Sequence, residues 1–168
     1  PDGRERDAWE TPTGATVRLF ESAGGLRYHL TPPETALDDD AVATLARARD
    51  RLAAAADSEA GSANVVHAVA DESTPVEQVR TLLNRHTRGN GALDHCFGDE
   101  RVTDVVVSAP VAESPVRVRV DGERATTNVR LTPRGGAALA SALRRASGRP
   151  LSRAEPTVDA VVETPGGP

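Results

Sequence analysis

The segment that most restricts the fold runs from residue 116 to residue 131 and has the pattern of a β-hairpin. Val and Arg alternate along Val116–Val120, which is the two-residue period of a strand with one buried face. Asp121-Gly122 follows, and this dipeptide favours a two-residue hairpin turn because both positions accept positive φ. The sequence therefore predicts two antiparallel strands with the valines toward a core and the arginines on the other face.

Further elements are predicted on both sides of the hairpin from the hydrophobic period and from Gly and Pro positions. Val65–Ala70 fits either a strand or a short packed connector, and Ala92–Phe97 fits a short helical turn. Because strands and helices do not alternate regularly, we expect an α+β fold, with an antiparallel or mixed sheet and flanking helices. Strands are expected at Ala15–Phe20, Leu26–Leu30, Val102–Val107 and Val158–Val162, and helices at Leu37–Ala56, Thr74–Thr87 and from Thr132-Pro133 to Gly148.

Two of these elements carry a specific expectation about packing. In the long first helix, spacings of three and four place five residues on one side, and we expect them to form its packed face. They are Val42, Leu45, Arg49, Leu52 and Ala56. Val105–Val107 shows no alternation, which is typical of a strand that is covered on both faces.

The predicted organisation has three parts. Residues 1–14 are polar and contain Pro and Gly, so we predict a flexible lead-in. Residues 15–73 are predicted to form an N-terminal subdomain, a hairpin plus the long helix, and residues 74–168 an α+β domain. The chain contains no Met, so we expect it to be an excised piece of a longer protein.

The amino-acid composition excludes one class of function directly. No Lys occurs in the 168 residues, and a P-loop needs Lys to neutralise the terminal phosphates of a nucleotide. Ile and Met are also absent and aromatic residues are few, so Val, Leu and Ala must fill the core. These absences are typical of a GC-rich genome, and basicity from Arg alone with an acidic excess fits a halophile.

The charge is divided unevenly along the chain. Residues 1–100 carry 10 Arg against 18 Asp and Glu, a net charge of −8, whereas residues 101–168 carry 10 Arg against 7, a net charge of +3. An acidic first half argues against nucleic acid as the main partner, because neutralisation of phosphates dominates that affinity. The chain has one Cys and no apolar run long enough to span a bilayer, so we expect neither an internal disulfide nor a membrane span.

Several short motifs follow one another in a definite order. Tyr28–Pro32 has the form Y-x-h-x-P, where h is apolar, and Val118–Gly122 has the form V-x-h-D-G. With these motifs the chain resembles the N-terminal domain of the ATPases of type II and type IV secretion, type IV pili and archaella. The other matching residues are Gly91, Leu93, Asp94, Asp99, Val102, Asp104 and Val105, then Gly148-Arg149, and then Pro156, Val158, Asp159, Ala160 and Val162.

The resemblance implies a PAS-like α+β domain, from an archaeal protein, that precedes a RecA-like ATPase domain. It implies a regulatory and oligomerisation role in a homohexamer, with the motor domain and neighbouring subunits as partners and a membrane platform protein as a further partner. The location implied is cytoplasmic, with membrane association through the secretion machine. ATP and Mg²⁺ belong to the parent protein, and the chain alone is not expected to be an enzyme or to hold a cofactor.

The same resemblance gives the site residues. Arg149 and Arg153 lie in the segment nearest the motor domain, so we expect them to face its nucleotide. An arginine on a mobile neighbouring domain suits this role because it contributes charge only when the domains close. The alternative is that both are ordinary exposed arginines. No catalytic and no metal-ligating residue is expected.

Other residues with useful chemistry have simpler interpretations. Arg117, Arg119, Arg124 and Arg130 fit either a basic face for an anionic partner or a solvated sheet face. Asp99 and Asp104 form a candidate acid–base pair, although turn and capping roles are favoured. Metal-ligand spacing is lacking for His67, His86, His95 and Cys96, and nucleophile context is lacking for Ser108 and Ser152.

Two other kinds of protein remain open at this stage. One is a free-standing PAS-like module for ligand sensing or protein interaction, which has the same kind of sheet and helices. The other is a small enzyme. The low number of aromatic residues disfavours an aromatic-lined pocket, and the lack of a catalytic constellation disfavours an enzyme.

Overall fold

The computed structural model describes residues 2–54, 62–70, 74–87 and 90–147. The chain divides into two compact units, a sheet unit of residues 1–31 and 93–168 and a helical unit of residues 32–92. This division differs from the predicted boundary between residues 73 and 74. The helices before and after that boundary belong to one apolar cluster, and packing rather than chain order therefore decides where the units separate.

A six-stranded mixed sheet forms the sheet unit, which confirms the predicted α+β class. The strand order is β1-β2-β3-β6-β5-β4. All neighbouring strands are antiparallel except β3 and β6, which are parallel. The strands are β1 (Arg4–Glu10), β2 (Thr16–Ser22), β3 (Gly25–Thr31), β4 (Val102–Val106), β5 (Arg117–Val120) and β6 (Glu123–Thr127), and the unit also contains helices α4 (Leu93–Phe97) and α5 (Pro133–Ser147).

The prediction of a flexible lead-in is wrong for residues 4–10, which form the edge strand β1. Five of its seven residues are charged, which is typical of an edge strand that avoids pairing with other chains. The turn into β2 is closed at its base, where Thr11 donates its N–H to the carbonyl of Ala15 at 2.8 Å. Charge without clear alternation concealed this strand in the sequence.

The predicted hairpin is confirmed as β5 and β6. Asp121 and Gly122 both have positive φ, at 50° and 82°, as a two-residue turn requires. Val118 and Val120 are buried in the core cluster, together with Ala125 from β6. One face of the hairpin therefore lies on the core of the sheet unit.

The expectation that β4 is covered on both faces is wrong, because β4 is the second edge strand of the sheet. Val106 is 48% exposed. The register with β5 shifts between Val102 and Asp104, so Val102 and Val105 both pack against the core cluster. A β-bulge therefore explains the irregular pattern that the sequence suggested was double burial.

In the described part of the helical unit, three helices surround a small apolar core. They are α1 (Asp39–Ala54), α2 (Ser62–His67) and α3 (Val76–Thr87), after a 3₁₀ turn at Pro33–Ala36. The segment predicted as a strand or connector at Val65–Ala70 starts inside α2, so the strand alternative is wrong. The buried core residues of this unit are Ala41, Ala48, Val65, Val66, Val79 and Leu83.

The packed face of α1 is rotated about the helix axis relative to the prediction. Ala41 and Ala48 are fully buried, and Leu45 packs against the same cluster. Val42 and Arg49, which were expected on this face, are exposed. Small side chains at positions 41 and 48 let neighbouring helices approach closely, and this close packing outweighs the larger side chains in the pattern.

Candidate functional site

The two predicted nucleotide-facing residues, Arg149 and Arg153, lie outside the described residues, as do Ser152 and the predicted strand Val158–Val162. The described chain reaches Ser147, the last residue of α5. This helix begins as predicted, because the hydroxyl oxygen of Thr132 accepts the N–H of Gly135 at 3.0 Å.

A glycine fixes the close approach of α5 to the loop before β5. A Cβ atom on Gly136 would lie 2.9 Å from Cγ2 of Val111, closer than real Cβ contacts come. A larger residue at position 136 would therefore require Val111 or α5 to shift.

Arginines collect on the outer face of the sheet, opposite the apolar core. In the register of β5 and β6, Arg119 lies directly opposite Arg124, and Arg117 lies opposite Thr126. Thr126 in turn pairs with Arg27 of β3, so arginines from three adjacent strands share this side. We call Arg27, Arg117, Arg119 and Arg124 the arginine face.

Few carboxylates balance these arginines. Arg119 lies 3.2 Å (Nε) from Oδ2 of Asp104 and donates to the carbonyl of Gly122 at 2.9 Å. Arg27 and Arg124 are exposed and form no ion pair with any residue that the structure describes. Like charges directly opposite each other destabilise a sheet. The Arg119–Arg124 pair therefore lowers the stability of the sheet unit.

Two surface cavities adjoin the arginine face. One, of about 200 Å³, is lined by Arg117, Arg119 and Arg124 together with Asp104 and Val106. The other, of about 580 Å³, lies between the turn before β3 and the turn before β6, which the parallel pairing of these strands places side by side. The smaller cavity has three arginines and one aspartate in its lining and so suits an anionic group. The larger one is lined by Glu21 and Glu123 as well as by Arg119 and Arg124 and so suits a polar group without a preferred charge.

Sequence analysis predicted three of the four residues of the arginine face. Arg117, Arg119 and Arg124 lie where the alternation predicts. Arg130 lies beyond the end of β6 and takes no position in the sheet. Arg27 was missed because it joins the surface only through the pairing of β3 with β6, and these strands come before and after the helical unit in the sequence.

On the inner face of the sheet, Asp99 is a buried acceptor. Its Oδ2 accepts hydrogen bonds from the Trp9 indole N–H at 3.0 Å and from the Tyr28 hydroxyl at 2.7 Å, and its Oδ1 accepts the N–H of Arg101 at 3.0 Å. Burial and the hydrogen bond to Asp99 raise the pKa of Tyr28 well above its usual range. The turn role predicted for Asp99 is confirmed, and the two aromatic partners extend it.

Beside this acceptor, Arg101 ties β1 to the hairpin turn. Its guanidinium lies over the Trp9 ring at 3.8 Å from the centroid. Nη1 lies 2.8 Å from Asp7, and Nη2 lies 2.6 Å from Asp121. These hydrogen bonds lower the pKa values of Asp7 and Asp121 below the usual carboxyl range. Every charged group in this cluster has a partner, so the cluster stabilises the fold and leaves no open ligand position.

The remaining candidates also take structural positions. His95 is buried, and its Nδ1 lies 2.7 Å from the Thr13 hydroxyl. Cys96 belongs to the core cluster, and burial raises its pKa to about 12, far from that of a reactive thiolate. Asp104 lies within β4 and forms an ion pair with Arg119 of β5. The capping role expected for Asp104 is therefore wrong. Ser108 lies 3.5 Å from the guanidinium of Arg117.

Metal-ligating side chains do not group together in the described ranges, where no three His, Cys, Asp or Glu residues are arranged to hold an ion. His67 is exposed on α2, and the side chain of His86 lies outside what the structure describes. No helix within those ranges has the length and apolar character needed to cross a membrane.

An open and mainly apolar surface lies on α1, in the described part of the helical unit. A groove of about 380 Å³ is lined by Val42, Leu45, Ala46, Arg49 and Leu83, and we call it the α1 groove. Nearby, Asp38 accepts the N–H of Ala41 at 2.8 Å and so begins α1, while Asp39 and Asp40 are exposed in its first turn.

Comparison with known proteins adds no family to these observations. No protein-family model matches the chain, and no curated protein matches it.

Proposed function

We propose that the chain is the regulatory and oligomerisation N-terminal domain of a hexameric secretion or pilus-assembly ATPase. In this role it closes on the nucleotide of a RecA-like motor domain in the same polypeptide. The chain has no Lys and therefore no P-loop of its own, so the motor domain binds ATP and Mg²⁺ and performs phosphoryl transfer. The parent protein works in the cytoplasm and meets the membrane through a platform protein of the machine.

The hydrogen bond between Tyr28 and Asp99 is the observation that carries this proposal. Tyr28 belongs to the first motif of the resemblance and Asp99 to a later one, and they are 71 residues apart in sequence. Their side chains nevertheless meet in the core at 2.7 Å. Motif residues that are distant in sequence and adjacent in space support the interpretation of these motifs as parts of one domain.

Other motif residues occupy positions where the backbone or the core restricts the residue type. Gly91 and Gly122 have φ of 62° and 82°, which Gly adopts without strain. Leu93 and Asp94, two and three residues after the first of these glycines, are buried in α4. These positions support the resemblance because each motif residue has a structural reason to be there.

The proposed action of Arg149 and Arg153 is electrostatic. Phosphoryl transfer depends mainly on positioning and on stabilisation of charge around the transferred group. Arginines that arrive with a closing domain supply that charge only in the closed state, so closure and hydrolysis become coupled.

The ATPase rate of the parent protein tests this role. We expect Arg149→Ala with Arg153→Ala to lower kcat at least about tenfold, because an arginine that stabilises the transition state is worth that much or more. The matched control is Arg134→Ala with Arg145→Ala, which removes two exposed arginines of α5 and should leave kcat unchanged. Equal rates in the two variants would remove the nucleotide-facing assignment.

The sequence of the gene tests separately whether the parent protein is an ATPase. A P-loop roughly a hundred residues after Pro168 supports the ATPase assignment, and the isolated chain should then be inert toward ATP. A stop codon directly after Pro168, or a small molecule that copurifies with the isolated chain, would favour the PAS-like sensing module instead.

A further inference from the structure

The smaller cavity beside the arginine face carries an excess of positive charge. It measures about 200 Å³ and lies on the outer side of the sheet, where β4 borders β5. Three arginines and one aspartate line it, so its net charge is +2. We call it the arginine cavity. Its lining residues are Asp104, Val106, Arg117, Val118, Arg119 and Arg124.

Two of the three arginines have donors that the described chain does not use. A guanidinium carries five N–H donors. Arg124 forms no hydrogen bond and no ion pair with any residue that the structure describes. Arg117 makes one long contact within the described ranges, at 3.5 Å to the hydroxyl of Ser108. Both arginines are exposed, so their donors are available to a ligand.

The third arginine is already held in position. Nε of Arg119 lies 3.2 Å from Oδ2 of Asp104, and Nη1 donates to the carbonyl of Gly122 at 2.9 Å. Nη2 makes no contact with a described residue. A side chain that is ordered before binding loses less conformational entropy when a ligand arrives. Asp104 therefore orients one donor of the cavity and leaves the other two arginines unpaired.

The register of the hairpin adds a second reason for an anion at this place. Arg119 lies directly opposite Arg124, and like charges in this position repel each other. An anion between the two guanidinium groups replaces this repulsion with two attractions. Binding should therefore stabilise the folded sheet unit.

We propose that the arginine cavity binds a small soluble phosphate monoester. The phosphate accepts hydrogen bonds from Arg117, from Arg124 and from Nη2 of Arg119. Its charge of about −2 at neutral pH balances the charge of the cavity, and the planar fork of an arginine binds two phosphate oxygens at once. Val106, which lines the cavity and is 48% exposed, contacts the carbon atoms of the ester.

The volume of the cavity and the charge of the chain favour a small ligand over a polyanion. Pockets for drug-sized ligands measure about 300–1,000 Å³, so the arginine cavity has room for a phosphate and a few carbon atoms. The chain has a net charge of −5, which disfavours approach to a nucleic acid or an anionic membrane. A small dianion responds to the local charge, because charges more than about 10 Å away are largely screened by salt.

This inference goes beyond the proposed function and does not rest on it. The arginines of the cavity are different from Arg149 and Arg153, which are assigned to the nucleotide of the motor domain. Binding is measured on the 168-residue chain without ATP, whereas the gene and the ATPase rate of the parent test the proposed function. Failure of one therefore does not imply failure of the other.

Isothermal titration calorimetry with glycerol 3-phosphate tests the site. In about 150 mM NaCl, we expect one ligand molecule per chain with a Kd of about 1 mM or lower. Dimethyl phosphate, which is a monoanion, should bind at least about tenfold more weakly, because charge-assisted hydrogen bonds strengthen with the charge of the acceptor. Thermal unfolding is a second measurement, since a ligand of the folded state raises the unfolding temperature.

Substitutions locate the binding on the cavity. Arg117→Gln and Arg124→Gln should each weaken binding at least about tenfold, because each removes charge-assisted hydrogen bonds. The matched control is Arg130→Gln, which removes one exposed arginine beyond the end of β6 and outside the cavity. Its affinity should equal that of the original chain. Arg124→Gln relieves a repulsive pair and should fold, which circular dichroism verifies.

Four results would overturn the proposal. They are the absence of binding at millimolar glycerol 3-phosphate, equal affinity of Arg124→Gln and the original chain, equal affinity of Arg124→Gln and Arg130→Gln, and equal affinity for the monoester and dimethyl phosphate. Binding to vesicles that contain phosphatidic acid, without binding of glycerol 3-phosphate, would assign the cavity to a lipid headgroup instead of a soluble ligand.

Discussion

The two faces of the sheet differ in how far their charged side chains are paired. On the inner face, the carboxylate of Asp99 accepts three hydrogen bonds, and Arg101 contacts both Asp7 and Asp121. On the outer face, Arg119 lies opposite Arg124, which has no partner among the described residues. Charged groups on the inner face have partners within the chain, whereas Arg27 and Arg124 on the outer face form no ion pair with any described residue.

Replacement of Asp99 by Ala should have the largest effect on stability. It removes the acceptor of the Trp9 indole, the Tyr28 hydroxyl and the Arg101 N–H, and buried donors without partners are costly. We expect the free energy of unfolding to fall by about 3 kcal/mol. On the outer face, Asp104→Ala should cost less than about 1 kcal/mol, because its ion pair is exposed. Urea denaturation of both variants measures the difference, and equal losses would contradict the contrast.

A second comparison uses the same substitution on each face. Val118→Ala removes buried methyl groups from the core cluster and should cost about 2 kcal/mol. Val106→Ala removes half-exposed methyl groups on the edge strand and should cost about 0.5 kcal/mol or less. Thermal unfolding of the two variants provides the measurement. A larger loss at Val106 would mean that this valine is covered in the isolated chain.

Arg124→Glu tests whether the cross-strand pair of Arg119 and Arg124 is repulsive. It replaces a repulsive cross-strand pair with an attractive one, so we expect the chain to become more stable by about 0.5 kcal/mol. The control Arg130→Glu, beyond the end of β6, should leave the stability unchanged. Lower stability for Arg124→Glu would show that Arg124 has a partner within the chain.

The smallest effect is expected from acid. Hydrogen bonds from Arg101 lower the pKa values of Asp7 and Asp121 in the folded state, so the unfolded chain binds protons at higher pH than the folded chain does. Their contribution is therefore present at neutral pH and is lost as the pH falls below about 4. Asp7→Asn with Asp121→Asn should flatten this part of the stability curve, and an unchanged curve would contradict the contribution.

Local signals in the sequence predicted local structure well. The Asp121-Gly122 turn and the capped start of α5 at Thr132 depend on a few adjacent residues, and both were found. The wrong predictions concern elements whose structure depends on tertiary contacts. β1 was missed because it is an edge strand whose many charges conceal alternation, and β4 was misjudged because a β-bulge near Val102 changes which residues face the core.

The candidate sites show the same difference: residues close in sequence were predicted, and residues joined by tertiary contacts were missed. Arg117, Arg119 and Arg124 were located because they alternate along one hairpin. The contribution of Arg27 depends on the pairing of β3 with β6, and that of Trp9 depends on the pairing of β1 with β2 and on Asp99. The face of α1 was predicted from the size of Val42, whereas close helix packing selects Ala41 and Ala48. The spacing of residues along the chain does not show which distant strands pair or which helix face is packed.

The insertion of the helical unit between β3 and the strands that complete the sheet has a consequence during synthesis. The ribosome releases β1, β2 and β3 as a meander, but β5 and β6 follow only after all of α1, α2 and α3 have been made. Until then, the apolar side chains of Val17, Leu19 and Leu30 belong to a half-built sheet whose parallel neighbour does not yet exist. Nascent chains that expose such a surface attract chaperones and aggregate easily, so translation speed through the inserted helices should affect the yield of this protein in cells.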